Sequence, residues 1–333
     1  MLLRIGSRDR KAPPGWAGVD VIQTGQRVSA RAIQMSGNVR KTPLGLNKIA
    51  FKQGLARSNV WPWAEYRVST VMAIASQSIL ARIDGWGITA PNLQAALSDI
   101  VARAKDGTPF TVFTMNLDHL VKLRRSGDFR HAYKSANIVT ADGAPVAWLA
   151  RWQDRSIVRA TGADLILPLA EAAAEARLPV FLFGTSASVM ARAGRELSDR
   201  TDGLIDIAGT LAPSAVFDPQ GAEADAAIEK IKASGAKLCF VALGAPKQEI
   251  FAERAREKGV ACGFICIGAA IDFIAKEQIR APEAMRNSGL EWLWRLASNP
   301  RRFAKRYADC AAVLFDLTVV APMRARWPRT RGS

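Results

Sequence analysis

From Ser78 onward the chain alternates between short apolar runs and segments of helical spacing. Ile79 to Ile83 reads as a strand that stops at Asp84-Gly85. Leu93, Leu97, Ile100 and Val101 share one face of a helix predicted over Asn92 to Ala104. Phe110 to Thr114 predicts a second strand, and His119 to Ser126 a helix. Ile138 to Thr140 is a short strand that ends at Ala141-Asp142-Gly143, followed by a helix from Ala144 to Arg151. The second half alternates more plainly. Helices are predicted over Asp164 to Ala176, Ala187 to Asp199, Glu223 to Ser234 and Gln248 to Lys258. Strands fall at Pro179 to Phe183, Leu204 to Ala208, Lys237 to Leu243 and Val260 to Ile267.

Strands buried on both faces and separated by helices predict an α/β fold, a Rossmann-like parallel sheet sandwiched by helices. In such sheets the ligand lies beyond the carboxyl ends of the strands. The residues to watch are therefore Thr114-Met115-Asn116, Asp142-Gly143, Gly184-Thr185-Ser186, Gly244-Ala245-Pro246 and Gly268. The catalytic domain is expected over residues 77–288.

The two ends read differently. Residues 1–76 show no sustained period and contain Pro13-Pro14-Gly15. They are expected to form a basic, disordered extension. Met72, just ahead of the first clear strand, is an alternative start of the functional product. Residues 289–333 carry an apolar stripe of Trp292, Leu293, Leu296 and Phe303, crowded by Arg295, Arg301, Arg302, Lys305 and Arg306. Tryptophan and arginine flanking an apolar face is the composition of a helix lying in a membrane interface. A basic amphipathic helical appendage is expected there.

Charge sharpens this division. The 333-residue chain has a net charge of +16. Residues 1–68 hold 12 Lys/Arg against 3 Asp/Glu, and residues 276–333 hold 12 against 5. The segment between them is neutral. A neutral fold with basic ends seeks a polyanion, either anionic lipid or nucleic acid.

Several classes are disfavoured. No stretch reaches the roughly 18 uninterrupted apolar residues of a spanning helix; Ala311 to Met323 is short and carries Asp316. Arg4, Arg8, Asp9, Arg10 and Lys11 leave no room for a signal-peptide core. Cys239, Cys262, Cys266 and Cys310 lack a zinc spacing and read as buried thiols. His119 and His131 are the only histidines, so a three-histidine metal site is impossible. No GxGxxG or Walker loop is present, which argues against a nicotinamide-dependent dehydrogenase. No groove-reading motif supports a nucleic-acid-binding α/β protein, the rival from another class.

The residues alone leave roles open. Asp142 after a strand suits general base work, or caps the next helix. Gly184 and Gly244 let backbone approach a phosphate, or make ordinary turns. Lys247-Gln248-Glu249 reads as a solvated first turn, with an amide that could hold sugar hydroxyls. The C-terminal arginines bind phosphates through bidentate forks, or line a solvated face.

Five stretches together resemble the WecG/TagA/CpsF glycosyltransferase family, which includes N-acetylmannosamine transferases. They are Thr114-Met115-Asn116; Thr140-Ala141-Asp142-Gly143; Arg159 to Asp164; Gly244 to Glu249; and Arg280-Ala281-Pro282, leading into Gly289 to Leu296 and Pro300-Arg301-Arg302. The match spans about Ile79 to Tyr307. Met115 departs from the proline the family often has there.

The resemblance implies an inverting transfer that needs neither metal nor cofactor. The donor would be a UDP-sugar and the acceptor a saccharide on a polyprenyl diphosphate. The enzyme would sit peripherally on the inner face of the cell membrane, on an anionic surface. By resemblance, Asp142 matches the base. Thr114, Asn116 and Gln248 line the sugar pocket, with Arg159 beside it, and Asp272 contacts the nucleoside. Arg295 and Arg302, with Lys305 or Arg306, close over the diphosphate. The donor sugar is N-acetylmannosamine-type or a uronic acid, with glucuronic acid or another hexose as the alternative. Subunits could pair through sheet edges or the docking face.

Overall fold

The computed structural model describes residues 78–326. The expected disordered extension, the Met72 start and the last arginines, Arg329 and Arg331, lie outside the described residues.

An antiparallel hairpin opens the described chain, β1 (Ala81–Ile83) and β2 (Trp86–Ile88). Asp84 and Gly85 make its two-residue turn with φ of 52° and 83°, the left-handed pair that such a hairpin requires. The strand expected near Ile79 therefore belongs to a separate hairpin, not to the main sheet. Helix α1 (Leu93–Asp106) follows, with the Asn92 side chain accepting from the Ala95 N–H at 2.9 Å. Strand β3 (Phe110–Met115) is buried throughout.

Helices α2 (Leu117–Arg125) and α3 (Gly127–Lys134) come next. The second was not expected. Ser126 ends one helix and caps the other, its hydroxyl accepting from the Phe129 N–H, so the two periods run together in sequence. Then come β4 (Ile138–Ala141), α4 (Ala144–Arg151), α5 (Gly162–Glu175), β5 (Val180–Gly184) and α6 (Ala187–Arg200). Strand β6 (Ile207–Leu211) starts three residues later than the apolar pattern suggests. Asp202 and Gly203 turn the chain at positive φ, and Leu204 stays exposed. Helix α7 (Ala222–Ala233), β7 (Leu238–Ala242), α8 (Lys247–Glu257) and β8 (Gly263–Cys266) complete the core. Short helices α9 (Ala270–Ile274) and α10 (Glu283–Asn287) lead to α11 (Glu291–Ser298) and α12 (Pro300–Phe315). A π-helical stretch, Asp316–Val320, joins α12 to α13 (Ala321–Arg326).

Strands β3 to β8 form one six-stranded sheet in the order β4-β3-β8-β7-β5-β6. Every pairing in it is parallel. Alternation along β3 sends Phe113 and Met115 into one apolar layer and Phe110 and Val112 into the other. Both faces are thus covered, which is why the strands read as unbroken apolar runs. The four cysteines are free and buried, as expected of thiols used for packing.

The basic C-terminal helix is not detached from this core. Cys310 and Val313 of α12 are buried in the same apolar layer as Phe113. Three ion pairs join α12 and the π-helical stretch after it to α2: Arg306–Asp118 at 3.1 Å, Arg125–Asp309 at 3.1 Å and Arg124–Asp316 at 2.8 Å. Exposed pairs such as Arg125–Asp309 hold a helix only weakly, so apolar packing does most of the holding. No described helix is long and apolar enough to cross a membrane.

Candidate active site

A cavity of about 1030 Å³ opens beyond the carboxyl ends of β3, β4, β7 and β8. Its floor is made by residues that follow those strands, and its rim by α11 and α12. A parallel sheet puts every strand's carboxyl end on one edge, so distant motifs converge there.

Asn116 shows how the floor is built. It caps α2, its Oδ1 accepting from the His119 N–H at 3.1 Å. Its Nδ2 donates to Asp142 Oδ2 at 3.4 Å. An amide offers an acceptor to the helix and a donor to the carboxylate from separate atoms at once. Asp142 itself does not cap α4. Gly143 does, at φ 78° and ψ 146°, a conformation open to glycine, and no side chain accepts from the helix N-terminus. The Asp142 carboxyl is recessed but faces the cavity. Burial raises its pKa to about 6, opposed by the Asn116 hydrogen bond and the charge of Arg295.

The Lys247-Gln248-Glu249 turn corrects the sequence reading. Only Lys247 is solvated; Gln248 is 3% and Glu249 0% exposed. Gln248 Nε2 donates to Glu249 Oε1 at 2.7 Å, and Gln248 Oε1 accepts from the Gly268 N–H at 3.1 Å. The amide is held at both ends and keeps one hydrogen and one lone pair for a ligand. Behind it, His119 Nε2 lies 3.7 Å from Glu249 Oε1, and His119 Nδ1 is 2.6 Å from the Tyr133 hydroxyl. Burial lowers the His119 pKa to about 3 and raises that of Glu249 to about 7. Glu249 Oε2 has no partner in its buried setting.

Two other matching stretches meet each other. Thr161 and Asp164 form a capping box on α5, and Arg280 donates to Asp164 at 2.5 Å. Burial opposes ionisation of Asp164, but hydrogen bonds from Arg280 and Thr161 hold its pKa below the usual range. A Cβ on Gly162 would lie 2.8 Å from the Ile267 carbonyl oxygen, so the glycine lets α5 sit against the end of β8. Arg159 donates to the Arg286 carbonyl at 2.8 Å, at the carboxyl end of α10.

Asp272 accepts from Thr185 Oγ1 at 3.1 Å and from Gln278 Nε2 at 2.8 Å. Burial raises its pKa.

The rim is cationic. Arg295 pairs with Glu291 at 2.8 Å and lies 5.4 Å from the Phe273 ring centroid. Arg306 shares Asp118 with Lys122, which also donates to the Ala245 carbonyl at 2.8 Å. Arg302 is exposed near the Phe303 ring. Trp292 and Tyr307 meet edge to face at 5.8 Å.

Of the expected site residues, Thr114, Asn116, Asp142, Arg159, Gly244, Gln248, Asp272, Arg295, Arg302 and Arg306 all line the cavity. Gly184 and Lys305 are not among its lining residues. A Cβ on Gly184 would sit 2.3 Å from the Ala242 carbonyl oxygen, so strand crowding explains that glycine. Lys305 is exposed on α12. Asp118, Lys122 and Tyr307 line the cavity and were missed. The spacing of Asp118 and Lys122, four apart after a capping Asn116, was the available signal.

Among the described residues, His131, Glu253 and Glu257 could together hold a metal ion, their ligand atoms lying within 4.8 Å. They border a separate small cavity. Glu253 is already paired with Arg256 at 2.7 Å, and His131 with Glu257 at 2.9 Å.

A parallel α/β sheet with a large cavity at its carboxyl edge, lined by apolar and charged side chains together, is the plan of an α/β enzyme. Residues 81–327 match the model of the glycosyl transferase WecG/TagA/CpsF family. The chain belongs to this family, and it is a glycosyltransferase.

Proposed function

We propose that the protein transfers a sugar from a UDP-sugar, with inversion, to a saccharide on a polyprenyl diphosphate. The donor sugar is an N-acetylmannosamine type or a uronic acid. The observation that carries this reading is Asp142, recessed at the cavity floor and faced by a rim of arginines. The other lining carboxylates are engaged: Asp118 by Lys122 and Arg306, Glu291 by Arg295, Asp272 by Thr185 and Gln278. Asp142 has only the long bond from Asn116.

In the proposed step Asp142 takes the proton of the acceptor hydroxyl. That oxygen attacks the anomeric carbon, and the bond from that carbon to the diphosphate oxygen breaks. The electron pair leaves on UDP, and the single displacement inverts the carbon. Negative charge grows on the diphosphate, where Arg295, Arg302 and Arg306 supply cationic donors. Thr114, Asn116 and Gln248 line the sugar pocket, Arg159 lies beside it, and Asp272 contacts the nucleoside. Residues 289–333 act as a basic, membrane-associating cover at the inner face of the cell membrane.

A radiolabelled transfer assay tests this. It uses a panel of UDP-sugars, a synthetic lipid-diphosphate-linked monosaccharide and a chelator. Label entering lipid with one donor, lost in Asp142→Asn, is the expected result. No transfer with any donor and no UDP binding would overturn it.

A further inference from the structure

The catalytic domain carries an exposed aromatic patch that the proposed site does not use. Trp148 and Trp152 are 49% and 64% exposed, and their ring centroids lie 4.2 Å apart. They fall at four-residue spacing on α4 and its C-cap, so they share one face with Ala144. Arg151 and Arg155 beside them are exposed and have no acidic partner among the described ion pairs. The nearby Asp154 is occupied by the Ser156 backbone and hydroxyl.

This stripe is continuous with the appendage. A Cβ on Gly289 would stand 2.6 Å from Ala144 Cβ, so the start of α4 touches the turn that opens α11. Leu290, Trp292 and Leu293 are exposed beyond that joint. Apolar side chains thus run from α11 across α4, bordered by arginines. Tryptophan and arginine together are suited to the headgroup level of a bilayer, where the ring is half-desolvated and the guanidinium meets phosphate.

We propose that α4 is a second membrane-docking surface, in which Trp148 and Trp152 enter the headgroup region of an anionic bilayer. The inference rests on the reading above that the acceptor is lipid-linked. Its consequence is positional. Helix α4 rises about 12 Å over its length, and its first residue lies two after Asp142. Docking both α4 and α11 would hold the floor carboxylate at a fixed height above the lipid, beside an acceptor that emerges from it.

The test uses the full chain with Trp152→Cys carrying an environment-sensitive fluorophore; all four native cysteines are buried, so the label is selective. Leu204→Cys, before β6 at the opposite edge of the sheet from β4, is the control. Vesicles of phosphatidylglycerol and phosphatidylcholine should shift the Trp152→Cys label to the blue, leaving the Leu204→Cys label unchanged. In sedimentation, Trp148→Ala/Trp152→Ala should need about tenfold more of the same lipid for half-binding. A label that stays water-like while the chain sediments with vesicles would overturn the proposal. So would a blue shift without lipid that grows with protein concentration, since a second copy would then cover the face. UDP binding, measured on the same variants without lipid, separates the two failures. Its absence in the unsubstituted chain defeats the UDP-sugar reading and leaves the vesicle result standing.

Discussion

The floor and the rim of the cavity are built by opposite rules. On the floor, Asn116, Gln248 and Glu249 are packed and cross-bonded, and each bond serves a helix cap, a strand end or a neighbour. On the rim, Arg295, Arg302 and Arg306 are partly or well exposed; Arg295 pairs with Glu291 of its own helix, and Arg306 reaches down to the buried Asp118, which Lys122 also holds. A buried network fixes geometry because breaking any member strands a polar group. A partly exposed ion pair is worth little and exchanges readily, and Lys122 stays on Asp118 if Arg306 leaves. The floor is thus suited to positioning a reacting carbon, and the rim to trading carboxylate partners for a diphosphate.

The largest effect should come from the floor. Asp142→Asn should lower kcat by about 10²–10⁴-fold, the range of general base catalysis, with UDP affinity little changed in calorimetry. The same variant should melt higher than the parent at pH 7.5. Ionising Asp142 is uphill in the fold because its pKa is raised, so the stability of the neutral form is lost as pH rises through about 6, and asparagine has no such loss.

Next is the rim. Arg302→Ala should cost about 10²-fold in kcat, as removal of one transition-state donor does. Arg302→Lys should recover part of it, since charge returns without the planar fork. A loss confined to KM would place this arginine in ground-state binding instead.

Smaller still is Gln248→Ala, expected to cost about tenfold in kcat/KM by freeing the Gly268 loop and leaving Glu249 with less support. Gly162→Ala sharpens the comparison from the stability side. Its methyl would press on the Ile267 backbone and should lower stability by about 1–3 kcal/mol in denaturant unfolding, with kcat of the surviving fold reduced less than for Arg302→Ala.

Much of the floor was legible because a parallel sheet puts chemistry at strand ends. Asp142, Asn116 and Gly244 follow from that rule and the apolar runs alone. Burial of Gln248 and Glu249 was not legible: a polar triplet opening a helix looks solvated, and its partners Gly268 and His119 are distant in sequence. The crowding of Gly184 by Ala242 was not legible for a related reason, since it is a contact between strands. Helix α3 was hidden because Ser126 serves two helices at once. The composition of α12 showed its basic face, but not that Cys310 and Val313 would anchor it in the core beside α2.

The most direct measurement is the pH dependence of single-turnover transfer, in the parent chain and in Asp142→Asn. A carboxyl with a raised pKa keeps its proton to higher pH, so the rate should climb from pH 5 with a midpoint near 6 and level off above it. The residual rate of Asp142→Asn should be flat across that range. A residual rate that keeps the same acid limb would contradict Asp142 as the base and assign the titration to another group.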